Sequence, residues 1–300
     1  MKRHYLVRHE TRYRYAADVV HAHHLLHLVP RPASHQQCLE HAIDIEPAAH
    51  RRTVECDAFG NPVLRIELAQ PHRELAVISQ MQVEVHPRPA VDVSTTTPWE
   101  KVRDAFAYHG AWPSRDQLDA ARFRHESPHV RLKQAFTDYS ADCFEPGRPI
   151  LACAEALTHK LRTDIAYAPG ETGIGTSATE VLETKRGVCQ DFAHLMIAGL
   201  RSLGLAARYV SGYLSTDPPP GRERVVGADA THAWLEVWVP GQDGTSGWLS
   251  VDPTNDCVTS DRHVTVAWGR DYADVPPVKG VIFTEATEST MQVTVDVAPL

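Results

Sequence analysis

The sequence lacks long apolar runs, and no uncharged stretch approaches the roughly 20 residues that a transmembrane helix needs. Its first ten residues contain no apolar run either, so we expect no signal peptide. The six cysteines are scattered without a CxxC pair, which favours reduced thiols over a disulfide framework. These absences predict a cytoplasmic protein with no membrane partner.

The chain also lacks an excess of positive charge, since 30 Lys and Arg residues are set against 38 Asp and Glu residues. The acidic excess lies in residues 149–300, which hold 11 basic and 19 acidic side chains. An acidic surface repels phosphate, so we expect no nucleic-acid partner. No EF-hand or clustered carboxylate pattern is present, so no calcium requirement is expected. The oligomeric state stays open.

Length and composition predict a soluble protein of about two domains, since 300 residues with 43% hydrophobic and 23% charged side chains are ordinary for globular chains. Residues 1–93 contain short alternating runs separated by turn residues, a pattern typical of a β-sandwich. Residues 94–148 are interpreted as a connector with short helices. Residues 149–300, in which helices precede strands, hold the candidate catalytic residues.

Histidines are concentrated in residues 1–93, which contain 11 of the 18. On a strand, His21, His23 and His27 would share one face with Val19 and Leu25. No cysteine or acidic residue interleaves with them, so part-buried strand side chains are favoured over a zinc site. The sequence therefore predicts no metal and no other cofactor. Metal analysis of the purified protein would test the alternative.

Residues 184–204, TKRGVCQDFAHLMIAGLRSLG, are interpreted as a loop followed by a helix. Apolar residues recur at helical spacing after the cysteine, and that spacing places Cys189 on the inner face of the first turn. Gly204 then ends the helix. The N–H groups at a helix N-terminus favour a thiolate, although a buried structural cysteine is an equally ordinary interpretation. His194 is predicted on the outer face and is not taken as a catalytic base.

Residues 232–239 and 247–254 alternate as strands, and the turn-rich segment between them predicts a β-hairpin. In a hairpin centred near residue 243, paired positions have numbers that add to about 486. The residue opposite His232 is then near 254. Asp252, which ends its strand before Pro253, lies within the usual boundary error. The hairpin thus brings an imidazole and a carboxylate together.

A thiol, an imidazole and a carboxylate are the parts of an activated nucleophile. The imidazole deprotonates the thiol, and the carboxylate holds the ring in the required tautomer. Taken alone, His232 is an ordinary sheet histidine, and Asp252 is an ordinary turn-capping aspartate before proline. Their occurrence with Cys189, on a helix start and a hairpin, favours the catalytic interpretation.

Five short motifs resemble the bacterial transglutaminase-like family, which belongs to the papain-like superfamily of thiol enzymes. They are GVCQDFAH at 187–194, ARYVSGY at 207–213, THAW at 231–234, VDPTN at 251–255 and GRDY at 269–272. The N-terminal region resembles the β-rich domain that precedes the core in many members. The resemblance implies an α+β fold in which an N-terminal β-sandwich precedes a papain-like core, whose cysteine helix packs on an antiparallel sheet.

The resemblance also implies roles, with Cys189 as nucleophile, His232 as general base and acid, and Asp252 as the residue that orients it. Thr231 stands where a serine is more usual, which should not alter the chemistry. The oxyanion would be bound by the Cys189 backbone N–H and a side-chain donor, for which Tyr167 is the candidate. Gln190 is less favoured because it is predicted to point away from the inner face.

The implied reaction is attack of the thiolate on an amide of a peptide or protein substrate, giving a thioester. Water as acceptor makes the enzyme a protease or amidase, which we favour, and an amine acceptor makes it a crosslinking transglutaminase. A domain of this kind that serves as a catalytically silent binding module is a third hypothesis. Residues 217–222, with three consecutive prolines, form either a lid over the site or a surface loop.

Overall fold

A computed structural model of the protein describes residues 2–107, 110, 112–216, 230–240 and 247–300. Two features of the sequence analysis lie outside these ranges. One is the segment with three prolines at 217–222, and the other is the middle of the hairpin loop, 241–246. Among the described residues, no helix is both long and apolar enough to cross a bilayer.

A seven-stranded antiparallel sheet is built around one long strand, β1. Its strands are β1 (Arg3–Leu26), β2 (Gln36–Glu46), β3 (Arg51–Cys56), β4 (Pro62–Leu68), β5 (His72–Val85), β13 (Val278–Thr284) and β14 (Ser289–Pro299). The order is β2-β5-β1-β4-β3, and β13 and β14 also pair with β1. Residues 278–299, which the sequence analysis places with the catalytic region, therefore complete the N-terminal sheet.

The sheet forms a sandwich because the first and last parts of β1 pair with different strands. Its first part pairs with β5 and β14, the register shifts between Arg14 and Val19, and its last part pairs with β4 and β13. Apolar residues from β2 and β5 form a single buried cluster with residues from the end of β1 and from β4, for example Ile45, Val77, Leu26 and Ile66. This arrangement confirms the predicted β-sandwich.

The histidines of β1 do not share one face as predicted. A bulge between Val19 and His21 moves Val19 into the core while His21 and His23 point outward. His27 lies beyond the end of the strand and is buried, with its Nε2 3.2 Å from Asp57 Oδ2. The prediction was wrong because strict alternation fails at a bulge and ends where the strand ends.

Helices and short strands connect the two sheets. They are α1 (Trp99–Asp104), α2 (Arg115–Ala121), α3 (Gln134–Ala141), α4 (Ile150–Asp164), β6 (Ala166–Tyr167), α5 (Ala178–Thr184), β7 (Arg186–Gly187) and α6 (Cys189–Ser202). β6 and β7 form a small parallel pair directly before α6. Helix α6 packs against β8 and β9 of the second sheet, and its residues 191–201 are buried on every side.

The second sheet is antiparallel, with the order β11-β10-β9-β8-β12. Its strands are β8 (Ala207–Leu214), β9 (Thr231–Val239), β10 (Gly247–Asp252), β11 (Cys257–Val258) and β12 (His263–Gly269). In the pairing of β9 with β10, Val239 lies opposite Gly247 and Leu235 opposite Val251. These numbers add to 486, so the predicted hairpin register is confirmed.

A polar turn fixes the first sheet to the second. Asp57 Oδ1 accepts the backbone N–H groups of Phe59 and Asn61. The amide of Asn61 then donates to the Trp268 carbonyl at 2.8 Å and accepts the Trp268 N–H at 3.0 Å. Buried residues of both sheets also belong to one hydrophobic core, among them Tyr5 of β1 and Tyr213 of β8. The two regions therefore pack as one body around a shared core.

Candidate active site

The position of Cys189 is fixed by the turn that opens α6. Asp191 Oδ2 accepts the Val188 N–H at 2.8 Å and the Thr172 hydroxyl at 2.6 Å. A Cβ on Gly187 would lie 2.8 Å from the Asp191 Cβ, so only glycine fits the close approach of strand β7 to the helix. Burial raises the pKa of Asp191 even though Thr172 and Val188 donate to it.

His232 and Asp252 are neighbours, as the hairpin register predicts. His232 Nε2 donates to Asp252 Oδ2 at 2.7 Å, and the Asp252 side chain is fully buried. The carboxylate also accepts the backbone N–H of Thr254 and the Asn255 side-chain amide, which holds the loop after β10 in place. Burial alone would raise the pKa of Asp252, but hydrogen bonds from His232 and His263 outweigh it and hold that pKa well below its usual value.

Cys189 lies beside the same histidine, because both side chains line one pocket and the thiol contributes to the raised pKa of the ring. Because Asp252 occupies Nε2, Nδ1 is the ring nitrogen that meets the thiol. Burial would lower the pKa of His232, but hydrogen bonds to Asp252 and Cys189 outweigh it and raise that pKa to about 10. The ring is therefore cationic at neutral pH.

His263 is a further member of the site that the sequence analysis missed. Its Nδ1 accepts the Ser260 N–H at 3.1 Å, which fixes the tautomer that carries the proton on Nε2. That Nε2 lies 3.2 Å from Asp252 Oδ2 and donates to it. Burial lowers the pKa of His263 although Asp252 opposes this, so the ring is a neutral donor. No local signal marks it, because β12 reaches Asp252 only through the order of the sheet.

His232, Asp252 and His263 place three potential metal-ligand atoms within 4.8 Å of one another. Both histidines donate to the same carboxylate oxygen, which accounts for the closeness without an ion. Trp234 covers this group, with its ring centroid 6.0 Å from that of His232 and 5.2 Å from that of His263. The indole is fully buried and keeps water from the inner side of the pair.

Two residues weighed as oxyanion donors lie near the thiol. Tyr167 on β6 pairs with Gly187, and its side chain is half exposed. Burial raises its pKa, and the proximity of Cys189 raises it further. Gln190, predicted to point away, instead lines the same pocket as Cys189. That prediction was wrong because Cys189 and Gln190, the two residues that open α6, are both partly exposed to the same pocket.

His194 was also predicted on the outer face, and the structure buries it fully. Its Nε2 accepts the Tyr272 N–H at 3.2 Å, and its ring stacks on His129 with centroids 5.1 Å apart. Burial lowers the pKa of His194 to about 3, so the ring is neutral. It serves the packing of α6, and nothing in its contacts makes it an alternative base.

The thiol and the imidazole open into a pocket of about 250 Å³ that both sheets enclose. The second sheet contributes the fully buried Tyr209, whose part in the pocket the sequence analysis missed. The first sheet contributes His9, Thr11 and Tyr13 from β1 and Met291 and Val293 from β14. His9 is held between Thr11 Oγ1 at 2.9 Å and the Tyr213 hydroxyl at 3.0 Å. The N-terminal sheet is therefore one wall of the candidate active site.

Known families match both parts of the chain. The bacterial transglutaminase-like N-terminal region matches residues 5–84, and the transglutaminase-like superfamily matches residues 137–253. An uncharacterised protein of Mycobacterium tuberculosis is 42% identical over 298 residues, which cover 98% of this chain and 92% of the relative. A protein-glutamine gamma-glutamyltransferase of Pseudomonas aeruginosa is 39% identical over 113 residues, which cover 37% of this chain and 16% of that protein.

A solved structure shares the whole architecture. It is a "putative cysteine protease" from Cytophaga hutchinsonii, with a TM-score of 0.72 at 17% sequence identity, over 99% of this chain and 98% of that one. At this identity the likeness shows the α+β fold. Together with the two family matches and the relative that aligns along almost its whole length, it shows that the chain belongs to the bacterial transglutaminase-like family.

Proposed function

We propose that the protein is a thiol enzyme that hydrolyses amide bonds of peptide or protein substrates through Cys189, His232 and Asp252. The observation that carries the proposal is that the His232 imidazole, hydrogen-bonded to the buried Asp252 carboxylate, lines the same open pocket as the Cys189 thiol. The raised pKa of His232 supports it, because a cationic imidazole beside the sulfur stabilises a thiolate.

In the first half of the reaction, the sulfur of Cys189 attacks the amide carbonyl carbon, and the π electrons of the C=O bond move to oxygen. The backbone N–H of Cys189, at the start of α6, is one donor to this oxyanion. His232 then gives its proton to the amine nitrogen, the C–N bond breaks, and the amine leaves. The product is a thioester on Cys189.

In the second half, neutral His232 takes a proton from water, and the hydroxide attacks the thioester carbon. Collapse of this second intermediate breaks the C–S bond, releases the acid and returns the thiolate beside the imidazolium. Asp252 remains ionised throughout and holds the ring with Nδ1 towards the sulfur. Hydrolysis needs no binding site for the acceptor, because water is always present.

Transfer to an amine is the second candidate, because the same thioester reacts with a primary amine in place of water. The similarity of the core to the Pseudomonas aeruginosa protein named a protein-glutamine gamma-glutamyltransferase favours it. A substrate of that reaction would place a glutamine side chain in the pocket. The two reactions share every residue of the triad and differ only in the acceptor.

For the second oxyanion donor we propose Tyr167, whose proximity to the sulfur supports the assignment. Gln190 is the competing donor, since its side chain lines the pocket. In Tyr167→Phe we expect kcat to fall about 100-fold, the loss typical of one oxyanion donor, with little change in KM. Gln190→Ala is the matched comparison. If kcat falls further in Gln190→Ala than in Tyr167→Phe, Gln190 is the second oxyanion donor instead of Tyr167.

Peptide hydrolysis tests the proposal most directly. A fluorogenic peptide-amide library would be incubated with the protein, with Cys189→Ala and with His232→Ala, each with and without a labelled alkylamine. We expect amide cleavage by the native chain only, with release of a free acid. Incorporation of the labelled amine in place of cleavage would favour the transglutaminase reaction. If neither product forms and the thiol is unreactive, the domain is a binding module.

A further inference from the structure

A second cluster of ligand-type side chains lies on the outer face of the N-terminal sheet. His21 and His23 are two residues apart on β1 and point the same way, and Glu67 on β4 lies directly opposite His23. The Nε2 atoms of the two histidines are 2.9 Å apart, so one ring donates a hydrogen bond to the other, and His21 Nε2 is 3.6 Å from Glu67 Oε1. The sequence analysis found no acidic partner for these histidines, because Glu67 is 44 residues away in the chain and only the pairing of β1 with β4 brings it close.

We propose that His21, His23 and Glu67 form a binding site for a divalent transition-metal ion, with Zn²⁺ as its first candidate. The three ligand atoms all lie within 4.8 Å of one another. Nitrogen and oxygen ligands bind Zn²⁺ at about 2.0–2.2 Å. A cation about 2.1 Å from each atom would subtend about 118° between His21 and the carboxylate, near the tetrahedral angle, and about 87° between the two nitrogens, which a small outward turn of the rings would widen.

The types of ligand atom determine which class of ion the site would bind. Two imidazoles and one carboxylate suit Zn²⁺, Ni²⁺, Co²⁺ or Cu²⁺, whereas Ca²⁺ and Mg²⁺ require mainly oxygen ligands. The arrangement leaves a fourth position open on the solvent side, since His23 is exposed and His21 and Glu67 are about one-third exposed. Water would fill that position.

The surroundings restrain the ligands before any ion binds. The ring of Phe283 on β13 lies beside His21, with centroids 6.0 Å apart, and limits how far that imidazole can turn. The two imidazoles meet edge to face with centroids 4.6 Å apart. All three ligands stand on paired strands, so their Cα positions are set by the sheet. An ion here would join β1 to β4 on the outer face of the sheet.

The same sheet offers a matched control. Glu84 on β5 also lies between two histidines, with Oε2 3.2 Å from His4 Nε2 and Oε1 2.9 Å from His86 Nε2. There, however, the histidines approach opposite oxygens of the carboxylate, and the Lys2 ammonium lies 2.9 Å from Oε1. Charge and geometry both disfavour a cation, although the residue types are identical.

Binding would be measured by equilibrium dialysis of the full chain against Zn²⁺ at neutral pH, with metal content counted per protein. We expect that His21→Ala, His23→Ala and Glu67→Gln each weaken one Zn²⁺ site at least about 10-fold, since even a partner that only orients a ligand costs that much. His86→Ala should leave the site unchanged. A native chain that binds no more Zn²⁺ than the His21→Ala/His23→Ala double variant would overturn the proposal.

Two further readouts separate this site from others. Co²⁺ bound by imidazole and carboxylate gives visible bands without a sulfur-to-metal charge-transfer band. If a charge-transfer band from sulfur appears, the ion is bound by cysteines and the proposed site is refuted. Zn²⁺ should also raise the melting temperature of the native chain and of His86→Ala, but not that of the His21 and His23 variants. Alkylation of Cys189 should be the same in all of them, which keeps this test independent of the proposed function.

Discussion

At the scale of single residues, the carboxylate of Asp252 is the centre of the electrostatics of the site. It is fully buried and accepts from His232, His263, Thr254 and Asn255. A buried carboxylate with this many donors stays ionised and cannot rotate. Its hydrogen bond to His232 is the largest of the contacts that raise the pKa of that ring against the effect of burial.

The first prediction concerns stability against pH. The pKa of His232 is raised to about 10 from an unfolded value near 6.5, so its stabilisation is complete below about pH 6.5 and is lost as the pH rises towards 10. The pKa of Asp252 is lowered, so its contribution is present above about pH 4 and is lost in stronger acid. Urea unfolding should show the free energy of unfolding falling by a few kcal/mol between pH 7 and 10. In His232→Gln this basic fall should be much smaller, and an equal fall in both proteins would contradict the assignment.

The second prediction concerns His263 as a positioning residue. His263→Phe removes a donor to Asp252 without opening a cavity, and we expect Cys189 alkylation to slow about 10-fold, with a shifted pH profile. His263→Gln retains an N–H donor and should recover most of the rate. A purely structural residue would change the melting temperature of both variants and leave the pH midpoint of the reaction where it was.

At the scale of elements, the junction between β7 and α6 decides where the thiol lies. Gly187 allows the strand to approach Asp191, and Asp191 in turn holds the Val188 N–H before the first helical turn. The β9–β10 hairpin decides where the imidazole lies. Cys189 begins α6, His232 is the second residue of β9 and Asp252 is the last of β10, so regular backbone sets the position of each side chain.

The third prediction tests this junction. Gly187→Ala should destabilise the protein by about 1–3 kcal/mol, because the new methyl group would overlap the Asp191 Cβ. It should also slow alkylation of Cys189. Gly175→Ala is the control, since nothing lies within 4 Å of its added Cβ, and its free energy of unfolding should change by less than about 0.5 kcal/mol. If thermal unfolding shows the same loss of stability in Gly187→Ala and Gly175→Ala, the close approach of Gly187 to Asp191 is not the cause of that loss.

At the scale of the whole molecule, the N-terminal and catalytic regions are not independent. β13 and β14, from the end of the chain, complete the sheet that begins with residue 3. That sheet then supplies one wall of the pocket at Cys189. Any group that enters the pocket therefore contacts both regions, and under the proposed function we expect the N-terminal sheet to influence which substrates bind.

The fourth prediction follows from that wall and rests on the proposed function. Met291→Ala and Val293→Ala should change kcat/KM by about 10-fold or more between peptides that differ in the acyl side chain, since each truncation alters the apolar contact area. Their rates of alkylation by iodoacetamide should be unchanged. Val281→Ala changes an exposed apolar residue of β13 that does not line the pocket, and it should alter neither quantity. If the ratio of kcat/KM between the peptides is the same in all three variants, the N-terminal sheet takes no part in substrate recognition.

The sequence predicts those parts of the site that depend on local periodicity. The helical spacing after Cys189 and the pairing of His232 with the end of β10 both follow from patterns within about 25 residues, and the structure agrees with them. His263 and the β14 wall depend on which strands lie side by side, and no local pattern contains that information. The prediction that His194 lies on the outer face was wrong because α6 is enclosed by other helices and a sheet. The helix therefore has no polar face from which its orientation could be predicted.

The central claim is that His232 activates Cys189, and alkylation at pH 6 followed by mass spectrometry tests it most directly. Cys56 is exposed and serves as an internal reference thiol in the same sample. We predict that Cys189 reacts at least about 10-fold faster than Cys56, and that His232→Ala abolishes the difference. If Cys189 reacts no faster than Cys56 and the substitution changes nothing, the thiol and the imidazole do not act together and the proposed catalysis is wrong.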